Sequence, residues 1–81
     1  MMETRVGVIS IIVESTDAVD SLNALLNDYG QYIIGRMGLP YRQKEINIIC
    51  IAIDAPTDVI NALTGAIGRI PNVTAKAACA K

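Results

Sequence analysis

From Arg5 to Glu14 the chain is dense in Val and Ile and closes on polar residues, a pattern that predicts a strand. The cluster Glu14-Ser15-Thr16-Asp17 then offers helix N-cap chemistry. After it, Val19, Leu22, Leu26 and Tyr29 recur at spacings of three and four, one apolar face of a helix. Gly30 is expected to end that helix in the left-handed conformation. Gln31 to Gly38 predicts a second strand weakened by Gly35 and Gly38, and Leu39 to Lys44 a turn. Glu45 to Asp54 is the strongest strand pattern in the chain. Ala55-Pro56-Thr57-Asp58 repeats the helix-start chemistry, with Pro56 expected in the first turn. Val59, Ile60, Leu63 and Ile67 mark a second buried helical face that Gly68 can end, and Val73 to Cys79 predicts a last, more polar strand.

The order is β-α-β-β-α-β over one expected domain, residues 1–81. Right-handed crossovers and a short central hairpin resolve it to an α+β, ferredoxin-like sandwich: a four-stranded antiparallel sheet with two helices on one face. The halves echo each other, Glu14-Ser15-Thr16-Asp17-Ala18-Val19 matching Asp54-Ala55-Pro56-Thr57-Asp58-Val59-Ile60 with one extra residue.

Such a sheet leaves one face without helices, and alternation says which residues line it. In the last strand Val73, Ala75, Ala77 and Cys79 are expected inward, and Asn72, Thr74 and Lys76 outward. Pairing the middle strands sets Arg36 opposite Asn47, and these polar residues are assigned to the open face. Ile49, Ile51 and Ile53 then accompany Asn47, with Tyr32 and Ile34 across from them. Equating Ser10 with Cys50 turns Val6, Val8, Ser10 and Ile12 toward the helices and Ile9, Ile11 and Val13 outward. Eight large apolar side chains on that face exceed what a monomer shows to water, so a partner is expected to cover it. A one-residue slip would exchange the faces without emptying either of aliphatics.

Charge and composition narrow the function. Seven Lys+Arg against eight Asp+Glu give a net charge of −1, which supplies no basic field for nucleic acid or an anionic membrane. With no histidine, Ser-His-Asp and Cys-His catalysis are excluded. No aliphatic run approaches the roughly 20 residues of a membrane span. Met1-Met2-Glu3-Thr4-Arg5 does not open a secretory leader. Cys50 and Cys79 lack metal-motif spacing and are expected as free, buried small hydrophobes in a reducing cytoplasm.

Of the remaining patterns, Asp17 and Asp20 suit a helix dipole better than acid/base work. Glu14 and Asp54 close the first and third strands, taken as parallel neighbours, and solvated strand ends outweigh a shared metal or acid role. Gly35-Arg36-Met37-Gly38 and Gly65-Ala66-Ile67-Gly68 spell the G-x-x-G of an RNA clamp, but neither joins two helices. A ligand site is placed at Glu14, Ser15, Thr16 and Asp17 against Arg36, Met37 and Gly38 of a neighbouring subunit. There hydroxyls and free backbone N–H groups favour an anionic or zwitterionic group, Arg36 grips a carboxylate, and glycines permit close approach.

The run Tyr32-Ile33-Ile34-Gly35-Arg36-Met37-Gly38-Leu39-Pro40-Tyr41, with Arg5-Val6-Gly7-Val8 and Asp54-Ala55-Pro56-Thr57-Asp58-Val59-Ile60, resembles the small ACT-like proteins of the iron-only hydrogenase system regulator family. The resemblance spans essentially the whole chain. The fold it implies is also similar to the sensory domain of the nickel-responsive repressor, whose metal site is built on histidines this chain lacks and whose DNA-binding domain has no counterpart in this sequence. In ACT-like domains effectors sit between subunits near the first strand–helix loop, which matches Glu14 to Asp17. Together these features predict a non-enzymatic cytoplasmic regulatory or sensor module without cofactor or metal. It is expected to form a homodimer or tetramer, to take a small polar effector and to bind neither nucleic acid nor membrane. The alternative is a protein-interaction adaptor without a small-molecule ligand.

Overall fold

The Val- and Ile-rich segments pair as one antiparallel sheet, and the two amphipathic segments close over one side of it. In the computed structural model, which describes residues 3–80, the order is β1 (Arg5–Val13), α1 (Ala18–Asp28), β2 (Ile33–Tyr41), β3 (Ile46–Ala55), α2 (Thr57–Gly68) and β4 (Val73–Cys79). Single 3-10 turns at Gly30–Tyr32 and Arg42–Lys44 join α1 to β2 and β2 to β3. Strand order is β2-β3-β1-β4, all pairs antiparallel, which is the expected βαββαβ ferredoxin-like α+β fold. Met1, Met2 and Lys81, which belong to the expected 1–81 domain and, for the methionines, to the leader argument, lie outside the described residues.

Burial alternates cleanly along β1: Gly7, Ile9, Ile11 and Val13 are buried, while Val6, Val8, Ser10 and Ile12 are exposed. In β3, Ile49, Ile51, Ile53 and Ala55 are buried and Ile48 is exposed. The buried set packs under Ala18, Leu22 and Leu26 of α1 and Ile60, Leu63 and Ile67 of α2 in one cluster. Residues at i, i+3/4 and i+7/8 of each helix thus meet every second residue of each central strand.

The faces are therefore the reverse of the expectation. Ile9, Ile11, Val13, Ile49, Ile51 and Ile53 form the core beneath the helices, not an open interface. Tyr32 sits in the 3-10 turn, half-buried against the core, and only Ile34 of the eight is exposed, at 62%. Ser10 pairs Cys50 as expected, but Arg36 lies opposite Ile51 and Asn47 opposite Pro40 rather than opposite each other, because β2 runs on to Tyr41 before the turn. Both residues are in phase with the buried isoleucines, and Ile34 drops out of the expected alternation. What misled was taking polar residues as the mark of the open side. β2 is an edge strand beyond the helices' cover, exposed along nearly its whole length, so Arg36 can point to the helical side and still reach water. β4 holds its expected orientation: Val73 is buried against Val13, and Ala75 lies on the core.

Smaller differences concern the ends of elements. Gly30 has a negative φ, so α1 ends without a left-handed glycine and runs into the 3-10 turn, which sets the Tyr29 and Tyr32 rings 6.4 Å apart. β2 continues through Pro40 to Tyr41, three residues past its expected end, because an edge strand tolerates a missing N–H. An irregularity between Ile33 and Gly35 places Ile34 in a bulge. The left-handed positions are Glu45 (φ 57) after the hairpin turn and Asn72 (φ 67) before β4. Neither helix carries a side-chain N-cap bond; the Ser15 hydroxyl accepts from Asp17 N–H at 3.2 Å instead. Pro56 stands at the N-cap of α2 rather than in its first turn, its carbonyl accepting from Val59 and Ile60 at 3.0 and 3.1 Å.

The face assignment is directly testable. Ile51→Glu places a carboxylate in a site with no exposure, and Ile48→Glu places one on an exposed position. Stranding a charge in the core costs several kcal/mol, comparable with the whole stability of a small domain. Urea titration followed by circular dichroism should find Ile51→Glu unfolded and Ile48→Glu folded; the opposite order would restore the original face assignment.

Candidate functional site

The β2–β3 hairpin runs past the N-terminal half of α1 and leaves a trough between them. Its larger part, a cavity of about 490 Å3, is lined by Glu14, Ser15 and Thr16 of the β1–α1 loop and by Pro40, Tyr41, Arg42, Glu45, Ile46 and Asn47 of the hairpin. A second cavity of about 280 Å3 shares Pro40 and Asn47 and continues past Val19, Asn23, Arg36, Gly38, Leu39 and Ile49. Apolar Val19, Pro40 and Ile49 sit beneath it, Arg36 stands at one end, and Arg42 with Glu14 and Glu45 at the other. The Arg36 guanidinium donates to Asn23 Oδ1 at 3.0 Å, which turns the side chain across the trough toward α1.

The expected ligand residues divide into three groups. Glu14, Ser15 and Thr16 line the larger cavity of the trough, while Arg36 and Gly38 line its continuation within the same chain, where a neighbouring subunit was expected. Asp17 lines a different cavity, with Ala18, Ser21, Ile70, Pro71 and Asn72, which meets the trough only at Ser15. Met37 points to the other side of the sheet, opposite Cys50. The sequence argument passed over Asn23, Pro40, Arg42, Glu45 and Asn47. The available signals were Asn47, the polar break in an aliphatic strand, and Pro40, whose lack of an N–H marks an exposed edge.

Other candidates disperse. Glu14 and Asp54 end antiparallel strands at opposite ends of the sheet, Asp54 pairing with Val6. Among the described residues no group of three or more His, Cys, Asp or Glu could hold a metal. The G-x-x-G segments lie within β2 and α2. Both cysteines are free, yet neither is a buried hydrophobe: Cys50 is half-buried on the open face and Cys79 is exposed. Cys79 Sγ lies 3.2 Å from where a Gly7 Cβ would stand, so glycine makes room for that end of β4. None of the described helices is long and apolar enough to cross a membrane.

The uncovered face carries Val6, Val8 and Ile12 of β1, Ile48 of β3, and Met37, Leu39 and Tyr41 of β2, each between 40% and 60% exposed. Sequence reasoning had turned the β1 residues among them inward. The correct sign was available in β4, whose buried Val73 pairs Val13 and fixes Ile11 and Ile9 on the same side.

This is a small ferredoxin-like module with one naked apolar sheet face and a trough beneath its hairpin. Its residues 5–77 match the family model described as "TM1266-like: Iron-only hydrogenase system regulator, putative", and the chain belongs to that family. It is similar over 98% of its length to the whole of the uncharacterized protein TM1266 from Thermotoga maritima, with 31% identity and a TM-score of 0.93. A formyltetrahydrofolate deformylase from Pseudomonas putida KT2440 shares the fold alone, at 14% identity and TM-score 0.63, over 90% of this chain and 28% of the enzyme. So does an unknown protein from Galdieria sulphuraria, at 13% identity and TM-score 0.66, over 98% of this chain and 46% of that one. Among curated proteins none matches the chain.

The Arg36–Asn23 bond is exposed, so it should contribute little to stability. Arg36→Ala is expected to change the unfolding free energy by no more than about 1 kcal/mol by denaturant titration. A larger loss would make Arg36 a structural residue and spoil it as a probe of binding.

Proposed function

We propose that this chain is a non-enzymatic regulatory module of the iron-only hydrogenase system, working as a homo-oligomer and taking a small polar effector in the trough between α1 and the β2–β3 hairpin. The observation that supports the effector site is that two adjoining cavities share Pro40 and Asn47, one offering Ser15 and Thr16 and the other Asn23 and Arg36 beside apolar Val19 and Ile49. Few convergent polar groups over apolar walls is the usual make-up of a small-molecule site. An effector bearing a carboxylate fits it, because the planar guanidinium of Arg36 offers paired donors. The family's regulator description supports a regulatory rather than a catalytic role. No acid, base and nucleophile converge among the described residues to argue for an enzyme.

Thermal-shift measurements with amino acids, nucleotides and metal ions test this, since a ligand of the native state raises the melting temperature. A stabilising carboxylate ligand is expected, with its effect lost in Arg36→Ala and weakened in Thr16→Val. Stabilisation that survives both substitutions moves the site elsewhere. No stabilisation by any compound favours a second function, an adaptor without a small-molecule ligand, which the exposed apolar sheet face supports.

A regulator of this charge is expected to act without touching DNA. With seven cationic side chains against eight carboxylates it gains little from counterion release. Mobility-shift assays at physiological salt should show no complex with duplex DNA, and submicromolar retention would refute this.

A further inference from the structure

We infer that the open sheet face is the surface on which two copies of this chain pack, sheet against sheet. This rests on the homo-oligomeric regulator proposed above and names its contact. Three observations carry it. The first is chemical: the centre of the face, around Val8, Ser10, Ile12, Ile48, Cys50 and Met37, holds no charged side chain. The charges in phase with it stand at the margin, Lys76 on edge strand β4 and Asp54 at the end of β3. An apolar, charge-depleted centre with a charged rim is the layout of a protein interface, and a rim with both signs does not repel its own copy.

The second observation is area. Four strands spaced about 4.8 Å apart, each rising about 3.3 Å per residue over some nine residues, present a face of roughly 550 Å2. Two such faces packed together bury about 1,100 Å2, just above the roughly 1,000 Å2 that a specific interface needs.

The third observation concerns the competing edge-to-edge arrangement. Of the two edges, β2 is interrupted because Pro40 lacks an N–H and Ile34 bulges out of register, and β4 is the shortest strand and carries Lys76, both devices that discourage edge pairing. Sheet-on-sheet packing needs no edge, and side chains from two such faces interdigitate to form a core about 10 Å thick.

Two native thiols report on the contact. Cys50 lies in the middle of the open face, half-buried in the single chain, whereas Cys79 is exposed on the opposite side of the sheet over Gly7. Alkylation rates of both, followed by mass spectrometry across protein concentration, are read beside sedimentation. The expected result is a multimer in which Cys50 reacts roughly tenfold or more slowly than in the dilute monomer, while Cys79 keeps its rate. Val8→Glu and Leu39→Glu, both at exposed positions, should weaken assembly by about 100-fold or more and restore Cys50 reactivity. A multimer whose Cys50 reacts as fast as in the monomer overturns the face while leaving the oligomeric reading standing. A monomer at every concentration, with Cys50 open throughout, overturns both. The thiol measurement uses the unaltered protein, so it decides the matter even if a variant fails to fold.

Discussion

Everything in this molecule follows from one mismatch: a sheet that is aliphatic on both faces has two helices, and they fit on only one. Ile9, Ile11 and Val13 alternate with Val8 and Ile12, and Ile49, Ile51 and Ile53 with Ile48. Either set could have formed the core. The helices select one set because Leu22, Leu26, Ile60, Leu63 and Ile67 close over it completely, leaving the central isoleucines without exposure. Each large side chain so buried contributes on the order of 1.5–3 kcal/mol, and no comparable layer covers the other set.

That symmetry explains which parts of the structure were legible in the sequence. Element order and the alternation within β1, β3 and β4 were legible because a period of two and a period near 3.6 do not imitate each other, whereas the β2–β3 register and the direction of β1 against β3 were not. β4 and both apolar helical faces were correctly anticipated for this reason. The absolute face was harder, since it depends on which aliphatic set meets the helices, and aliphatic character is common to both. Arg36 and Asn47 looked like markers of the wet side, but on or beside an uncovered edge strand the helical side is wet as well. Element ends were less legible again: Pro40 continues β2, and Gly30 needs no left-handed turn, because edge position and a 3-10 turn satisfy the backbone by other means.

The site was legible in part for a different reason. The β1–α1 loop and the Gly35–Gly38 segment were marked by residue type, and Glu14, Ser15, Thr16, Arg36 and Gly38 do line one trough. Their meeting within a single chain depends on the length of the β2–β3 hairpin, which the sequence argument ended three residues short at Gly38. Extending β2 to Tyr41 carries Pro40 and Asn47 alongside α1 and so builds the trough wall. Met37 fell away from the site because adjacent strand residues point to opposite faces.

The same alternation ties the two surfaces together. In β2, Arg36, Gly38 and Pro40 belong to the trough, and Met37, Leu39 and Tyr41 project on the open face. β3 repeats the arrangement, with Asn47 and Ile49 on one side and Ile48 and Cys50 on the other. The hairpin is thus one layer of backbone between the trough and the open face, held by β1 along its β3 strand and free on its β2 edge. On the proposed reading, a ligand that twisted or straightened it would move both sets of side chains at once. Thermodynamics adds the condition that the ligand must bind the assembled and separate chains with different affinity, and that assembly then changes ligand affinity by the same factor. If the trough holds the proposed effector and the open face a second copy, the wall of the one is the back of the other, and the hairpin is the element through which the two would be coupled.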